Sequence, residues 1–432
     1  MTCGVFFLCV LLSVALHGVF TQIHNLDVDN TGQQLRGPAF LREPQDTFIM
    51  GNATDKVYLE CLAVGDPQPS YQWLKLTNDN RTVPLSVDPR YSFTTGSLEI
   101  RNPALTDEST YFCKATNDYG TVISSSARLT FGVLGNFSNV PPAPVRGLEY
   151  EGATLDCPRI IGKPAKSYQW YKDGDDNPIA PKSLRRAFVS ANGKLYFSEL
   201  DPADEGTYYC RVTLSGFGQP GNYIGASRVD SRKSLGLALT VVTSGDSRYQ
   251  PIIQDDFIYV FPATPTKGGD VRLECFAYGT GPLNYTWSRE GGRPLPIGYA
   301  LESNGRILLI KNLDFADGGE YTFSVFSSST ELLYSKAIDL AIQAKPYFTY
   351  PLTHQDVDVG SRLTWHCEAA GRPTPTYQWY KNGEVLKSSP GITVDVNTLT
   401  ITTVDGKRDN GTYQCAASNS FGTTFTTAQL RV

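Results

Sequence analysis

From Cys367 the chain reads C-E-A-A-G-R-P-T-P-T-Y-Q-W, passes through a polar hairpin, and reaches D-N-G-T-Y-Q-C at Cys415. Trp379 lies twelve residues after the first Cys, and Tyr413 two before the second. A disulfide across two sheets, an indole packed on it and a tyrosine hydroxyl closing the corner before the second Cys account for all four residues at once. That set constrains the span to a sandwich of two antiparallel sheets.

The set recurs upstream, and a repeat has to be read before any local motif. Cys61, Trp73, Tyr111 and Cys113 form a first copy; Cys157, Trp170, Tyr208 and Cys210 form a second. A third has Cys275, Trp287 and Tyr321, but Phe323 stands where its second Cys belongs. Alternating runs such as Lys56-Val-Tyr-Leu-Glu-Cys61 read as half-buried strands. The expected fold is all-β: four tandem immunoglobulin-like β-sandwich domains at residues 37–131, 132–242, 251–342 and 343–432. Trp73, Trp170, Trp287 and Trp379 are the core tryptophans, and Tyr111, Tyr208, Tyr321 and Tyr413 the corners. Trp365, two before Cys367, falls on the same strand face as that Cys and reads as core.

The compartment follows from the cysteines and the N-terminus. Val5 to Leu16 is an apolar run broken only by Ser13, too short to span a bilayer, followed by a more polar stretch. Residues 1–21 read as a cleaved signal peptide, and the polar residues 22–36 as a disordered lead-in. Cys3 and Cys9 leave with the leader. The remaining seven pair as Cys61–Cys113, Cys157–Cys210 and Cys367–Cys415, and Cys275 is left unpaired. Cys275 is expected to be a buried small hydrophobe, with Phe323 filling the bridge position against Trp287. A bridge of this span contributes about 4 kcal/mol in the chain-entropy model, so domain three is expected to be the least stable module. No later segment is apolar enough to cross a membrane, and the chain stops at Val432 inside an expected strand. The protein is therefore expected to be extracellular: secreted, or held at the cell surface if a longer protein supplies an anchor.

Little in the chain suggests chemistry. The net charge of −5 carries no basic footprint for nucleic acid. Two of the four His, His17 and His24, precede every domain. G-x-S-x-G, a Gly-rich phosphate loop and H-E-x-x-H do not occur, so no enzyme, cofactor or metal is expected. Asp173-Gly-Asp175-Asp-Asn177 opens like a calcium loop, but Pro178 and Leu184 replace the required Gly and Glu, leaving a solvated hairpin. Asn52, Asn80, Asn136, Asn284 and Asn410 head N-x-S/T sequons and read as glycosylation sites, with Asn284 placed just ahead of the Trp287 strand. Lys182, Arg185, Arg186, Arg228, Arg232 and Lys233 cluster in the sequence of domain two. They read first as a solvated face and second as a site for an acidic glycan.

The joints differ. Residues 243–250, Thr-Ser-Gly-Asp-Ser-Arg-Tyr-Gln, are polar and lack a strand pattern, whereas the other two joints are short. Eight extended residues reach more than about 20 Å, enough for the chain to fold back on itself there.

Several segments resemble the contactin family, closest to its invertebrate members. Gly37-Pro-Ala-Phe40 with Glu43-Pro44, Phe131-Gly-Val-Leu-Gly-Asn-Phe137, Phe188-Val-Ser and Gly193-Lys-Leu-Tyr-Phe-Ser198 are similar to its first two domains and their joint. Val271-Arg-Leu-Glu-Cys-Phe-Ala277 and Leu363-Thr-Trp365-His-Cys367 are similar to its third and fourth. The resemblance implies the first four domains of a cell-surface adhesion and recognition protein, arranged as a horseshoe. It implies binding to other immunoglobulin-superfamily or neurexin-like cell-surface proteins, or to itself, in neural or septate-junction contacts. The alternative is a secreted immune-recognition protein resembling hemolin, binding microbial surfaces; the basic cluster and the missing anchor favour it.

Overall fold

The structure is a computed structural model. It describes residues 37–432 apart from 51–54, 78, 80, 175–177, 181–183, 219, 225–230, 244–249, 254–256, 258 and 329–330. The leader, the lead-in, the calcium-loop-like residues 175–177 and most of the joint at 243–250 lie outside the described residues.

Each repeat is a sandwich of short antiparallel strands. In domain one, Lys56–Leu59, Ser97–Arg101 and Tyr91–Thr94 make one sheet, and Ser70–Leu76, Ser109–Asn117 and Gly120–Ile123 belong to the other. Domain two stacks Ala153–Leu155, Leu195–Phe197 and Ala187–Val189 on Ala165–Lys172, Gly206–Ser215 and Leu237–Val242. Domain three stacks Val260–Phe261, Val271–Glu274, Ile307–Ile310 and Ala300–Glu302 on Leu283–Arg289, Gly319–Ser327 and Leu332–Leu340. Domain four stacks Leu363–His366, Thr398–Ile401 and Ile392–Asp395 on Thr376–Lys381, Gly411–Asn419 and Gly422–Arg431. Alternation sends every second side chain inward, as in Gly206–Ser215, where Tyr208, Cys210, Val212 and Leu214 are buried. The Phe131–Asn136 joint is itself partly strand, because Val133–Leu134 pairs with Gly162–Lys163.

Four corners share one hydrogen bond. Tyr111, Tyr208, Tyr321 and Tyr413 donate their hydroxyls to the carbonyls of Asp107, Asp204, Asp317 and Asp409, at 2.6, 2.5, 2.6 and 2.8 Å. Disulfides join Cys61 to Cys113, Cys157 to Cys210 and Cys367 to Cys415. In domain three Cys275 is a buried free thiol, and the Phe323 ring lies 5.6 Å from that of Trp287. Burial pushes the Cys275 thiol pKa up, away from the thiolate, so it behaves as an apolar filler. Domain three also departs from its neighbours at Asp317. Arg90, Arg186 and Arg408 clamp Asp107, Asp204 and Asp409, whereas Arg289 donates to the carbonyls of Ala316 and Gly318.

The tryptophans expose a second difference. Trp73, Trp170 and Trp287 donate their indole N–H to the carbonyls of Gly96, Gly193 and Gly305. Each of those glycines has a positive φ, at 89°, 95° and 84°, in the turn between two strands. In the corresponding hairpin of domain four Asn397 stands at the glycine's place, after Val396 at φ 48° where domain one has Thr95 at the same angle, and the Trp379 indole N–H is buried without a partner.

By contact, the chain divides into two compact units. The first consists of Asp55–Leu129 and Ala344–Val432 with the described residues up to Thr47; the second of Thr130–Gln343 with residues 48–50. A chain that folds back on itself brings domain four to domain one and domain three to domain two. The first pairing lies within the first unit, and the second within the second.

Val396 is β-branched and two-thirds exposed, so its left-handed backbone costs about 1–2 kcal/mol with no packing to offset it. Val396→Gly is expected to stabilise domain four by about 0.5–1 kcal/mol after glycine's extra unfolded-state entropy. A melting midpoint unchanged or lowered in differential scanning calorimetry would count against this account of the turn.

Candidate functional site: the paired sheet faces

In a Tyr-x-Cys corner the middle residue points away from the core, because Tyr and Cys on either side point inward. In domain one that residue is Phe112, in domain four Gln414. Both are nonetheless buried, at 7% and 1% exposure, because the two domains meet on this face.

Gln414 carries the contact. Its Oε1 accepts from the Ile123 backbone N–H at 2.8 Å, and its Nε2 donates to the Ile123 carbonyl at 2.9 Å. One side-chain amide thus satisfies both backbone groups of a domain-one strand, as a neighbouring strand would. Nε2 also reaches Thr427 Oγ1 at 3.1 Å. Backbone pairing continues nearby. Ser126 N–H donates to the Thr423 carbonyl at 2.9 Å, and Thr423 N–H to Ser126 Oγ at 2.9 Å. Lys345 adds a bond to the Ser126 carbonyl at 2.6 Å. Burial holds the Lys345 ammonium pKa below the ordinary lysine value, against the pull of Asp46 and Glu43.

Apolar packing surrounds these bonds. Leu74, Phe112 and Ile123 from domain one cluster with Tyr380 and Phe425 from domain four. Gly120 and Gly383 allow the close approach. A Cβ at Gly120 would stand 2.3 Å from Thr412 Oγ1, and one at Gly383 2.7 Å from Thr121 Cγ2. Beside this contact opens a cleft of about 890 Å³, lined by Gln72, Phe112, Lys114, Gln378, Tyr380 and Phe425 among others.

The second unit pairs the opposite kind of sheet with different chemistry. Phe188 and Tyr196 of domain two meet Phe257, Phe276 and Ile307 of domain three in one buried cluster. Ring centroids are 6.0 Å apart for Phe188–Phe276 and 4.9 Å for Tyr196–Phe276. Tyr278 bonds Thr154 across the contact at 2.5 Å, and Gly279 N–H donates to the Ser198 carbonyl. Within this apolar contact sits Glu274, wholly buried. Ser190 Oγ donates to Glu274 Oε2 at 2.6 Å, and Ala191 N–H lies 3.1 and 3.2 Å from the two oxygens. Burial pushes the Glu274 carboxyl up to about 7, despite these donors and Arg272. Arg306 is buried close by; its Nη2 donates to the Arg185 carbonyl at 2.6 Å, and its guanidinium lies 5.0 Å from the Tyr285 ring centre.

Among the described residues, the basic residues of domain two are spread over both sheets. Arg186 is bound to buried Asp204 through two bonds, at 3.0 and 2.8 Å, and belongs to the corner. Arg185 precedes the Ala187–Val189 strand of one sheet, whereas Arg232 and Lys233 lie on Ser231–Lys233, which pairs with the other. Arg232 donates to Asn136 Oδ1, and Lys233 lies over the Tyr209 ring. Lys182 and Arg228 fall outside the described residues. Sequence proximity misled here because consecutive strands of a sandwich alternate between sheets. Of the sequons, Asn52 and Asn80 lie outside the described residues, while Asn136, Asn284 and Asn410 are exposed. Asn284 lies within the Leu283–Arg289 strand rather than ahead of it.

Neither Phe112 nor Gln414 was singled out in the sequence. The usable signal was the middle position of Tyr-x-Cys, where an outward Phe and an outward Gln replace the charged residues a solvated face favours. Glu274 left a fainter trace: it precedes the lone Cys275, so alternation turns it outward from a core.

The comparisons with known proteins agree with this architecture. The family model described as "Immunoglobulin domain" matches residues 38–117, 137–213 and 257–325, and that described as "Immunoglobulin I-set domain" matches 346–432. The chain belongs to the immunoglobulin superfamily. Within it the chain is contactin-like. It is 33% identical to Contactin of Drosophila melanogaster over 425 residues, 95% of this chain and 29% of that protein. It is 33% identical to Contactin-3 of Mus musculus over 404 residues, 92% of this chain and 37% of that one. It therefore spans about a third of the length of these curated relatives. Among solved structures, the first four immunoglobulin domains of Sidekick-1 align with a TM-score of 0.66 at 25% identity, covering 92% of this chain and 98% of that one. The insect immune protein hemolin aligns with a TM-score of 0.65 at 20% identity, covering 92% of this chain and all of that one, a likeness of fold.

Two measurements test the two immunoglobulin contacts. Gln414→Leu leaves the Ile123 N–H and C=O without partners and should cost about 2–4 kcal/mol. Amide exchange at Ile123, Ser126 and Thr423 is expected to accelerate while the domain-two amides hold; unchanged exchange would show that Gln414 does not anchor the contact. For Glu274, the folded pKa is raised, so its stabilising contribution is full below the unfolded value near 4.5. It is lost as pH rises through about 7. Glu274→Gln should flatten that decline and raise the second unit's stability at pH 8 by about 1–3 kcal/mol in pH-resolved thermal melts. A variant less stable than the parent at pH 8 would overturn it.

Proposed function

We propose that the chain is the recognition end of a cell-surface adhesion protein working in neural or septate-junction contacts. It binds other immunoglobulin-superfamily or neurexin-like cell-surface proteins, itself included. The observation that carries this reading is the contactin likeness, which runs through all four domains at 33% identity. The geometry supports it through the paired faces. Gln414 and the Glu274 contact each fix two domains against one another, so a partner meets ordered sheet faces without the cost of ordering separate modules. Adhesion of this type uses weak single contacts multiplied across a surface.

The likeness to hemolin favours a second reading, a soluble protein that recognises microbial surfaces. Part of its sequence support was the basic cluster, and there Arg186 is committed to Asp204.

The test is a cell-surface binding screen. The chain, clustered on an oligomeric carrier, is offered to cells displaying immunoglobulin-superfamily or neurexin-like ectodomains, to beads carrying the chain itself, and to bacterial envelopes. Binding to a displayed ectodomain or bead-to-bead aggregation, lost when the carrier is monomeric, is the expected result. Retention on envelopes alone would replace adhesion with the immune reading.

A further inference from the structure

The outer sheet of domain three carries an unusual row. Antiparallel pairing sets Asn284 opposite Phe326, and Phe326 opposite Leu333, so the three lie side by side across three strands. All point outward. Asn284 is exposed, and Phe326 and Leu333 are 39% and 63% exposed. On one side the row is flanked by the neutral residues Thr286, Ser324 and Ser335, with the last two bonded hydroxyl to hydroxyl at 2.7 Å. A phenylalanine and a leucine adjoining on an open face form a small apolar patch that a neighbouring group can cover.

The first residue of the row supplies one. Asn284-Tyr285-Thr286 is a sequon, and alternation buries Tyr285 while Asn284 and Thr286 both face solvent. We infer that an N-linked glycan on Asn284 lays its first N-acetylglucosamine over Phe326 and Leu333 and closes this sheet of domain three to protein partners. Directly opposed side chains stand about 4.5–5.5 Å apart at Cβ, so the sugar joined to Asn284 begins beside the Phe326 ring. The C–H face of the sugar meets the ring as an aliphatic side chain would, and its hydroxyls stay in water. Asn136 and Asn410 lack such a row. Asn136 accepts from Arg232, and Asn410 accepts from the Val432 N–H.

The transfer itself is ordinary glycosylation. The Asn284 amide nitrogen bonds to the anomeric carbon of a polyprenyl-diphosphate oligosaccharide. The carbon–oxygen bond to the diphosphate breaks, the lipid diphosphate leaves, and the amide gives up one proton. The inference rests on the extracellular reading above, since only a chain in the secretory pathway meets that donor.

The experiment uses the full chain expressed in a glycosylating eukaryotic cell. Peptide mass spectrometry reads occupancy at Asn284, and calorimetry reads domain three's melting midpoint. The expected results are an occupied Asn284 and a midpoint unchanged when an endoglycosidase trims the glycan to one N-acetylglucosamine. Both Asn284→Gln and Thr286→Val should lower the midpoint by a few degrees, and Asn284→Gln in a Phe326→Ser background should have no further effect. A secreted chain modified at other sequons but bare at Asn284 overturns the inference alone. So does an equal drop with and without Phe326, or a drop on trimming to one sugar. A chain that never enters the secretory pathway overturns the extracellular reading with it.

Discussion

The bond from a tyrosine hydroxyl to the carbonyl four residues upstream is kept in all four domains. Domain three lacks the disulfide and the Arg–Asp clamp, yet Tyr321 still donates to Asp317. A phenol this deep needs an acceptor, and a single backbone carbonyl within reach fixes where the following strand enters the sheet. Register then determines everything outward. With Tyr111 and Cys113 turned in, Phe112 must turn out; with Tyr413 and Cys415 turned in, Gln414 must turn out. The corner, a scaffold feature, thereby places the residues through which domain one meets domain four.

The two contacts then diverge in chemistry. Gln414 works by imitation: its amide offers one donor and one acceptor at the spacing of a peptide group, so it tolerates little change in geometry. The domain two–domain three contact is built on aromatic area, which is less directional, and takes its specificity from one buried carboxylate. Removing water from Glu274 costs more than Ser190 and Ala191 return, which is why the folded state favours the protonated acid. The domain two–domain three contact therefore weakens as pH rises toward neutrality.

Much of the fold was legible in the sequence because its signals are local. Cys, Trp and Tyr at fixed spacing identify a domain without reference to any other. The faces were not legible, because each depends on two segments far apart in sequence: Ile123 gives no hint that Gln414 will satisfy its backbone. The domain-two arginines show the opposite error. Arg186 looked available beside Arg185, but a buried Asp204 eighteen residues later takes both its bonds. Val396 was missed for a third reason, since residue identity alone does not disclose a left-handed backbone.

Domain three shows why a missing bridge need not mean a loose domain. The strand that lost its covalent tie runs through Glu274, Cys275 and Phe276. Cys275 packs inward with Phe323, while Glu274 and Phe276 face domain two and are held there by Ser190, Phe188 and Tyr196. Anchoring of that strand has passed from within the domain to the contact between domains. Its stability is then no longer a property of domain three alone: an excised domain three would expose the Phe276 ring and an unpartnered Glu274 as well as lacking its bridge. The expectation that domain three is the weakest module applies to the isolated domain, and in the intact chain domain two supplies the restraint that the second cysteine gives elsewhere.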